Sequence, residues 1–208
     1  YIDSENNFIP KENKFYKLDV NHVDFENINA TDKTPSKPNY RIENFELITE
    51  LDSPEEGELC YLNIILQDPP DENNYYKLKI YVENIIEGSK KACVYEVEDP
   101  AFLIPINRYS ASSSYYNGKW GYFTDNLFNG EERNLSIVVN KPDRKKYTSI
   151  RVEVVAYSEN LYEFNLTRKE QRRETGNILF QSEPVFIESN INGGYGIFAG
   201  MSGKVRIH

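Results

Sequence analysis

The chain has 208 residues, a net charge of −9 and 39% apolar residues, with 16 Tyr and 11 Phe but one Met, two Cys and two His. That length and apolar content allow a real hydrophobic core. The acidic balance argues against nucleic acid or anionic lipid as a partner, and no apolar run is long enough to cross a membrane as a helix. The chain opens on Tyr1 and is read as a fragment or a processed form, so that any export or anchor signal would lie upstream.

Period-two alternation dominates from the start, which is the signature of extended chain with one buried face. Residues 15–20 and 25–31 read as neighbouring short strands, and Pro35 and Pro38 then break the pattern. Proline removes a backbone donor and fixes φ, so a module boundary is placed here, setting residues 1–36 apart from a C-terminal β-sandwich domain over 37–208. Tyr40 to Ile48 resumes extended structure. Leu59 to Gln67 and Tyr75 to Val82 read as an antiparallel hairpin around the polar turn at 68–74, with Tyr76, Leu78, Ile80 and Val82 on one face and Lys77 and Lys79 on the other. Further strands are expected at 92–97, 135–139 and 150–154. Asn-Gly pairs at 117–118, 129–130 and 192–193 suit tight hairpins, because glycine accepts φ > 0.

One segment departs from this period. Residues 158–174 predict an amphipathic helix, with Ser158 as N-cap, an apolar stripe of Leu161, Tyr162, Phe164 and Leu166, cations crowding its second half, and Gly176 as its stop. The fold class that follows is all-β: an antiparallel β-sandwich of immunoglobulin- or transthyretin-like architecture with one helix near the C-terminus.

Few side chains point to chemistry. His22 falls in a polar turn and reads as a solvated residue, and the two histidines cannot supply a zinc site. Cys60 and Cys93 each alternate with apolar residues and read as buried thiols or as a single disulfide. The acidic loops at 52–56 and 68–72 lack the spacing of a calcium loop and read as solvated turns. A hydrolytic carboxylate pair is left open among 33 acidic residues. The strongest ligand-contact signal is the stretch 112–123, where Tyr115, Tyr116, Trp120 and Tyr122 stand beside small polar residues. Rigid aromatics of this kind stack on sugars or apolar ligands with little entropic loss; their alternative role is to fill the core. No catalytic residue, metal ligand or cofactor is assigned.

The end of the chain is the most distinctive part of it. Four glycines interleave with Ile191, Tyr195, Ile197 and Phe198 over residues 189–200. They read as a structural closure, with Ile197 and Phe198 plugging the core. Together with Ser182-Glu183-Pro184-Val185, this segment resembles the C-terminal signature of the domain-of-unknown-function family four-two-four-nine. Phe123-Thr124-Asp125-Asn126-Leu127-Phe128-Asn129-Gly130 and Asn74-Tyr75-Tyr76-Lys77-Leu78 are similar to internal stretches of that family. The resemblance implies a lipid-anchored outer-membrane protein of Bacteroidetes at the cell envelope, with residues 1–36 as the tail of an N-terminal β module. It also implies a TonB-dependent transporter as partner, and a non-enzymatic role as an accessory that captures a small-molecule or glycan ligand in nutrient uptake. Alternatives of other classes are a carbohydrate-active hydrolase using a carboxylate pair and a surface adhesion or structural module.

Overall fold

The computed structural model describes residues 8–48, 58–70, 72–84, 86–102, 115–141, 149–174 and 186–207. The strands among them are β1 (Phe15–His22), β2 (Phe25–Lys33), β3 (Asn39–Ile48), β4 (Glu58–Gln67), β5 (Tyr75–Asn84), β6 (Ser89–Ala92), β7 (Val94–Glu98), β8 (Tyr115–Gly118), β9 (Trp120–Thr124), β10 (Glu132–Lys141), β11 (Ser149–Tyr157) and β12 (Met201–Ile207), with helix α1 (Glu159–Glu174) between the last two. The chain divides into two compact units: residues 1–37 with 157–202, and residues 38–156 with 203–208. The first break falls beside the paired prolines. The helix and the glycine-rich segment, which the sequence reading puts with the sandwich, group with β1 and β2.

The second unit is an antiparallel β-sandwich. One sheet has the order β3-β4-β10-β7-β8; the other runs β12-β11-β5-β6, with β9 also paired to β5. The expected faces bury as the alternation requires. Cys60, Leu62, Ile64 and Leu66 of β4 meet Tyr76, Leu78, Ile80 and Val82 of β5 in one core, joined by Tyr95 and Val97 of β7, Leu135, Ile137 and Val139 of β10, and Ile150, Val152 and Val154 of β11. Cys60 and Cys93 are both buried thiols. In β3 the inward phase shifts once, at a bulge between Ile42 and Asn44. The extra residue moves the inward positions from Tyr40 and Ile42 to Phe45, as a one-residue insertion in a period-two pattern must.

Two expectations about partners are corrected. β4 and β5 are not a hairpin: β4 has β3 on one edge and β10 on the other, while β5 lies in the opposite sheet. Pro69 and Pro70 follow β4, and the chain crosses between sheets instead of turning back. The strand expected over 92–97 is two strands. Its chain changes sheet at Cys93, whose amide donates to the Ile80 carbonyl at 2.9 Å. Asn117-Gly118 is also no positive-φ turn; it ends β8. Gly130 and Gly193 do take positive φ, at 77° and 79°.

Tyrosine hydroxyls tie the two sheets together. The Tyr95 hydroxyl donates to the Leu78 carbonyl at 2.8 Å and accepts the Gly121 amide at 2.6 Å, so it sits between two residues paired across β5 and β9. Burial pushes its pKa well above the usual phenol range. Gly121 is required here, since a Cβ would come within 2.8 Å of that hydroxyl and 2.7 Å of the Phe102 ring. Tyr95→Phe keeps the ring but leaves a buried amide and carbonyl without partners. The expected loss is about 2 kcal/mol, read as a lower urea midpoint with an unchanged slope; an unaltered midpoint would show that the hydroxyl contributes nothing to the junction.

In the first unit, β1 and β2 form an antiparallel hairpin whose more buried face pairs Tyr16 with Asp32 and Leu18 with Ala30, and opens to solvent where exposed Val20 pairs with Ile28. His22 is exposed in its turn, where its Nδ1 accepts the Asp24 amide. Helix α1 starts as expected: the Ser158 hydroxyl accepts the Leu161 amide at 3.3 Å. Of its apolar stripe Tyr162 is buried, while Leu161, Phe164 and Leu166 are half-buried. The expected stop at Gly176 lies outside the described residues, as do Ser182-Glu183-Pro184-Val185 and the acidic loop at 52–56.

The glycine-rich segment closes this unit through polar bonds more than through apolar plugging. Asn190 donates to the Phe198 carbonyl at 2.6 Å and accepts the Phe198 amide at 3.0 Å. Asn192 and Asn29 exchange both backbone bonds. The Gly200 amide donates to the Asp32 carboxylate at 2.7 Å, and its carbonyl accepts the Ser158 amide at 3.0 Å. Ile197 and Phe198 are half-buried, which corrects their expected role as core plugs.

Candidate ligand-binding site

β5 and β9 put alternate residues on opposite faces of their sheet. Register pairs Lys77 with Tyr122 and Lys79 with Trp120, so these four occupy the face turned away from the core. Trp120 is 52% exposed. The Lys77 ammonium lies 5.4 Å from the Trp120 ring centroid and 4.8 Å from that of Tyr122, a cation–π arrangement that fixes both rings against the strand. Burial lowers the Lys77 pKa from its ordinary value.

The same face continues as a charged lattice. Glu153 on β11 accepts from Arg151 at 3.1 Å and Lys90 at 3.3 Å, with Lys79 at 3.8 Å. Arg151 reaches Glu83 at 2.9 Å, and Lys90 lies 3.9 Å above the Tyr81 ring. Desolvation lowers the Lys79 pKa, and Glu153 opposes that shift. Lys77, Lys79, Lys90 and Arg151 thus stand with Glu83 and Glu153 on one face, a local cationic surplus on a chain of net charge −9.

The four aromatic residues expected to contact ligand are therefore divided. Trp120 and Tyr122 are brought together on the outer face, although Tyr122 is itself only 8% exposed. Tyr116 points inward: it packs on Tyr95 and Phe102 at ring distances of 5.3 and 5.9 Å. Its hydroxyl accepts the Trp120 amide at 2.9 Å, and burial raises its pKa to about 12. Tyr116 positions the corner that carries Trp120, and Gly118 makes room for it, since a Cβ there would meet the Tyr116 hydroxyl. Tyr115 faces Glu98 in the β7–β8 ladder; its side chain, like Ser112 to Ser114, lies outside the described residues. The lysines of β5 were legible as a wet face, but nothing local in the sequence brings residue 120 beside residue 77.

A second polar cluster is buried. Asp68, 1% exposed, accepts the Tyr76 hydroxyl at 2.6 Å and the Gly130 amide at 3.0 Å. Asp125, fully buried, accepts the Asn74 backbone amide at 2.8 Å and its side-chain amide at 3.2 Å through Oδ2. Its Oδ1 has no hydrogen-bond partner among the described residues. The reading of the 68–72 loop as solvated is thus corrected at Asp68, whereas Asp71 lies outside the described residues. These two carboxyls join the ends of strands and offer no face to a substrate. The stretch carrying the internal family resemblance, 123–130, supplies Asp125, the buried Phe128 ring and the positive-φ Gly130, so its role here is to close the sandwich. Among the described residues no group of three or more His, Cys, Asp or Glu is placed to hold a metal ion, and no helix is long and apolar enough to cross a membrane.

Fold and face together describe an antiparallel β-sandwich protein with an aromatic and cationic platform on one sheet. The chain belongs to the family described as Domain of unknown function (DUF4249), which it matches over residues 1–206. No curated protein and no solved structure matches it.

Proposed function

We propose that this protein is a non-enzymatic, ligand-capturing accessory of the cell envelope. In this reading it is a lipid-anchored outer-membrane protein of Bacteroidetes, working beside a TonB-dependent transporter in nutrient uptake. The envelope part rests on membership of its family. The ligand part rests on one observation: an exposed Trp120 held on a rigid sheet beside Tyr122 and the Lys77 ammonium. An indole face stacks on a sugar ring or another flat ligand, and the surrounding cations favour a ligand that carries an anionic group.

A panel of neutral and acidic oligosaccharides, titrated calorimetrically, tests the ligand part. Saturable binding with preference for an acidic member is the expected result. Trp120→Ala should weaken that binding by about tenfold or more while the thermal transition stays in place, because the residue is half exposed. Lys77→Met should remove the preference for acid. Folded Trp120→Ala protein that binds as tightly as the parent would sink the ligand part. Detergent extraction of tagged protein tests the envelope part, with a transporter expected in stoichiometric recovery; a protein recovered alone from the soluble fraction overturns it.

A further inference from the structure

The first unit holds a cavity of about 300 Å³, independent of the Trp120 face. Its polar floor is the Asp32 carboxylate with Thr34, and its walls include Phe8, Tyr16, Phe198 and Met201. The volume is at the lower end for small-molecule sites, and an apolar lining with few polar groups is their usual composition.

Asp32 is the unusual member. It is 6% exposed, yet each of its partners among the described residues is a neutral donor: the Asn160 side-chain amide on Oδ1 at 2.9 Å and the Gly200 amide on Oδ2 at 2.7 Å. Among the described residues no lysine, arginine or histidine pairs with it. A carboxylate oxygen accepts at two positions, so each oxygen retains one. A buried charge without a counter-charge is costly, and a cation entering the cavity would offset that cost. Thr34, 7% exposed, commits its backbone amide to Lys14 and its carbonyl to Asn13. Its hydroxyl has no hydrogen bond to another described residue. The walls favour the same class of guest: Phe8 and Tyr16 stand edge to face at 5.3 Å, and aromatic faces attract organic cations. A bare metal ion is a poor fit, because one carboxylate and a hydroxyl fall short of the oxygen set a hard cation needs.

We propose that this cavity binds a small organic ammonium, its charged nitrogen on Asp32 and Thr34 and its apolar body against Tyr16 and Phe198. The probe is 2-phenylethylamine, titrated at pH 7 against its isosteres 2-phenylethanol and phenylacetate, with amide chemical shifts mapping the site on the whole chain. The amine should bind saturably, at least about tenfold tighter than the alcohol. Phenylacetate should not bind, and the shifted amides should cluster at residues 30–34 and 198–201. Phe198→Ala and Thr34→Val should each weaken the amine several-fold in folded protein. Asp32→Asn should abolish it, but that variant also disturbs the Gly200 clamp, which is why the other two are included. Trp120→Ala should leave amine binding unchanged. No binding of the amine, equal binding of the alcohol, shifts centred on β9, or indifference to both Phe198→Ala and Thr34→Val would each overturn the proposal.

Discussion

Replacing Gly200 by alanine should unfold the first unit while leaving the sandwich standing. A Cβ at this position would collide with the Lys33 carbonyl oxygen and lie 2.7 Å from the Thr34 Cα. Both obstacles are backbone, at the last residue of β2 and the one after it, so no side-chain rotation relieves them. Moving residue 200 away breaks the bond from its amide to buried Asp32 and the bond from the Ser158 amide to its carbonyl. The second loss reaches the helix, because Ser158 caps α1 and accepts the Tyr162 amide through its carbonyl. Overpacking against backbone and two disturbed buried hydrogen bonds together imply about 4 kcal/mol or more, enough to abolish a small unit's cooperative fold. Hydrogen exchange reports the effect residue by residue: protection should vanish in β1, β2 and α1 and persist in β4, β5, β10 and β11. Gly203→Ala is the control. Its Cβ would meet only Val155 methyls, at 3.5 Å and beyond, so a change within about 0.5 kcal/mol is expected. Equal protection in the two variants would show that Gly200 is not the closing point.

The contrast between those two glycines marks how far the sequence could be read. Four glycines near the end of the chain signalled close backbone approach, but the partner strand is some 170 residues earlier in order and leaves no local trace. The sandwich is the more legible part. Alternation at Tyr76, Leu78, Ile80 and Val82, and at Cys60, Leu62, Ile64 and Leu66, identified buried faces correctly, since a strand with one wet face has no other way to arrange them. What alternation does not encode is which strand lies alongside. β4 and β5 supply apolar faces of the same kind from opposite sheets, so the pattern alone could not separate a hairpin from two facing layers. The proline pair at 69–70 was the usable signal, read as a turn when it marks a crossing. Cys93 carries the same lesson: the run 92–97 looks continuous, yet one residue redirects the chain into the other sheet.

The candidate site shows the limit differently. Tyr115, Tyr116, Trp120 and Tyr122 are four aromatic side chains within eight positions, and composition treats them alike. Tyr116 and Trp120 belong to strands of different sheets joined through Lys119, so one turns to the core and the other to solvent. Lys77, which faces both Trp120 and Tyr122, was visible as a polar position on β5 but not as their neighbour. Asp68 is the opposite case. A carboxylate beside two prolines and among acidic residues looks like surface, and its burial follows from long-range bonds to Tyr76 and Gly130.

That buried carboxyl gives the protein a stability profile unlike that of an ordinary acidic surface. Desolvation raises the Asp68 pKa to about 6 from an ordinary 3.8; the hydrogen bonds from Tyr76 and Gly130 oppose the rise, and the neighbouring Asp125 carboxyl adds to it. A folded-state pKa above the unfolded value means that the native protein binds this proton more tightly. The contribution is therefore complete below about pH 4, falls as pH rises through 6, and is absent above it. Two pKa units correspond to about 3 kcal/mol. Protonated Asp68 also offers a donor to the neighbouring Asp125 carboxyl, which gives the acid form a bond the anion lacks. Other carboxylates respond to acid on their own account, so the profile of the parent protein alone is a mixture. Asp68→Asn isolates the titration, because it keeps an acceptor for the Tyr76 hydroxyl and an N–H donor for Asp125 but cannot titrate; the acceptor it withdraws from the Gly130 amide is a loss that does not vary with pH. Urea unfolding of the two proteins at half-unit steps from pH 4 to 7.5 should show the parent losing about 3 kcal/mol relative to Asp68→Asn across the window. A difference that stays flat over that range would mean that Asp68 is ionised in the folded sandwich throughout.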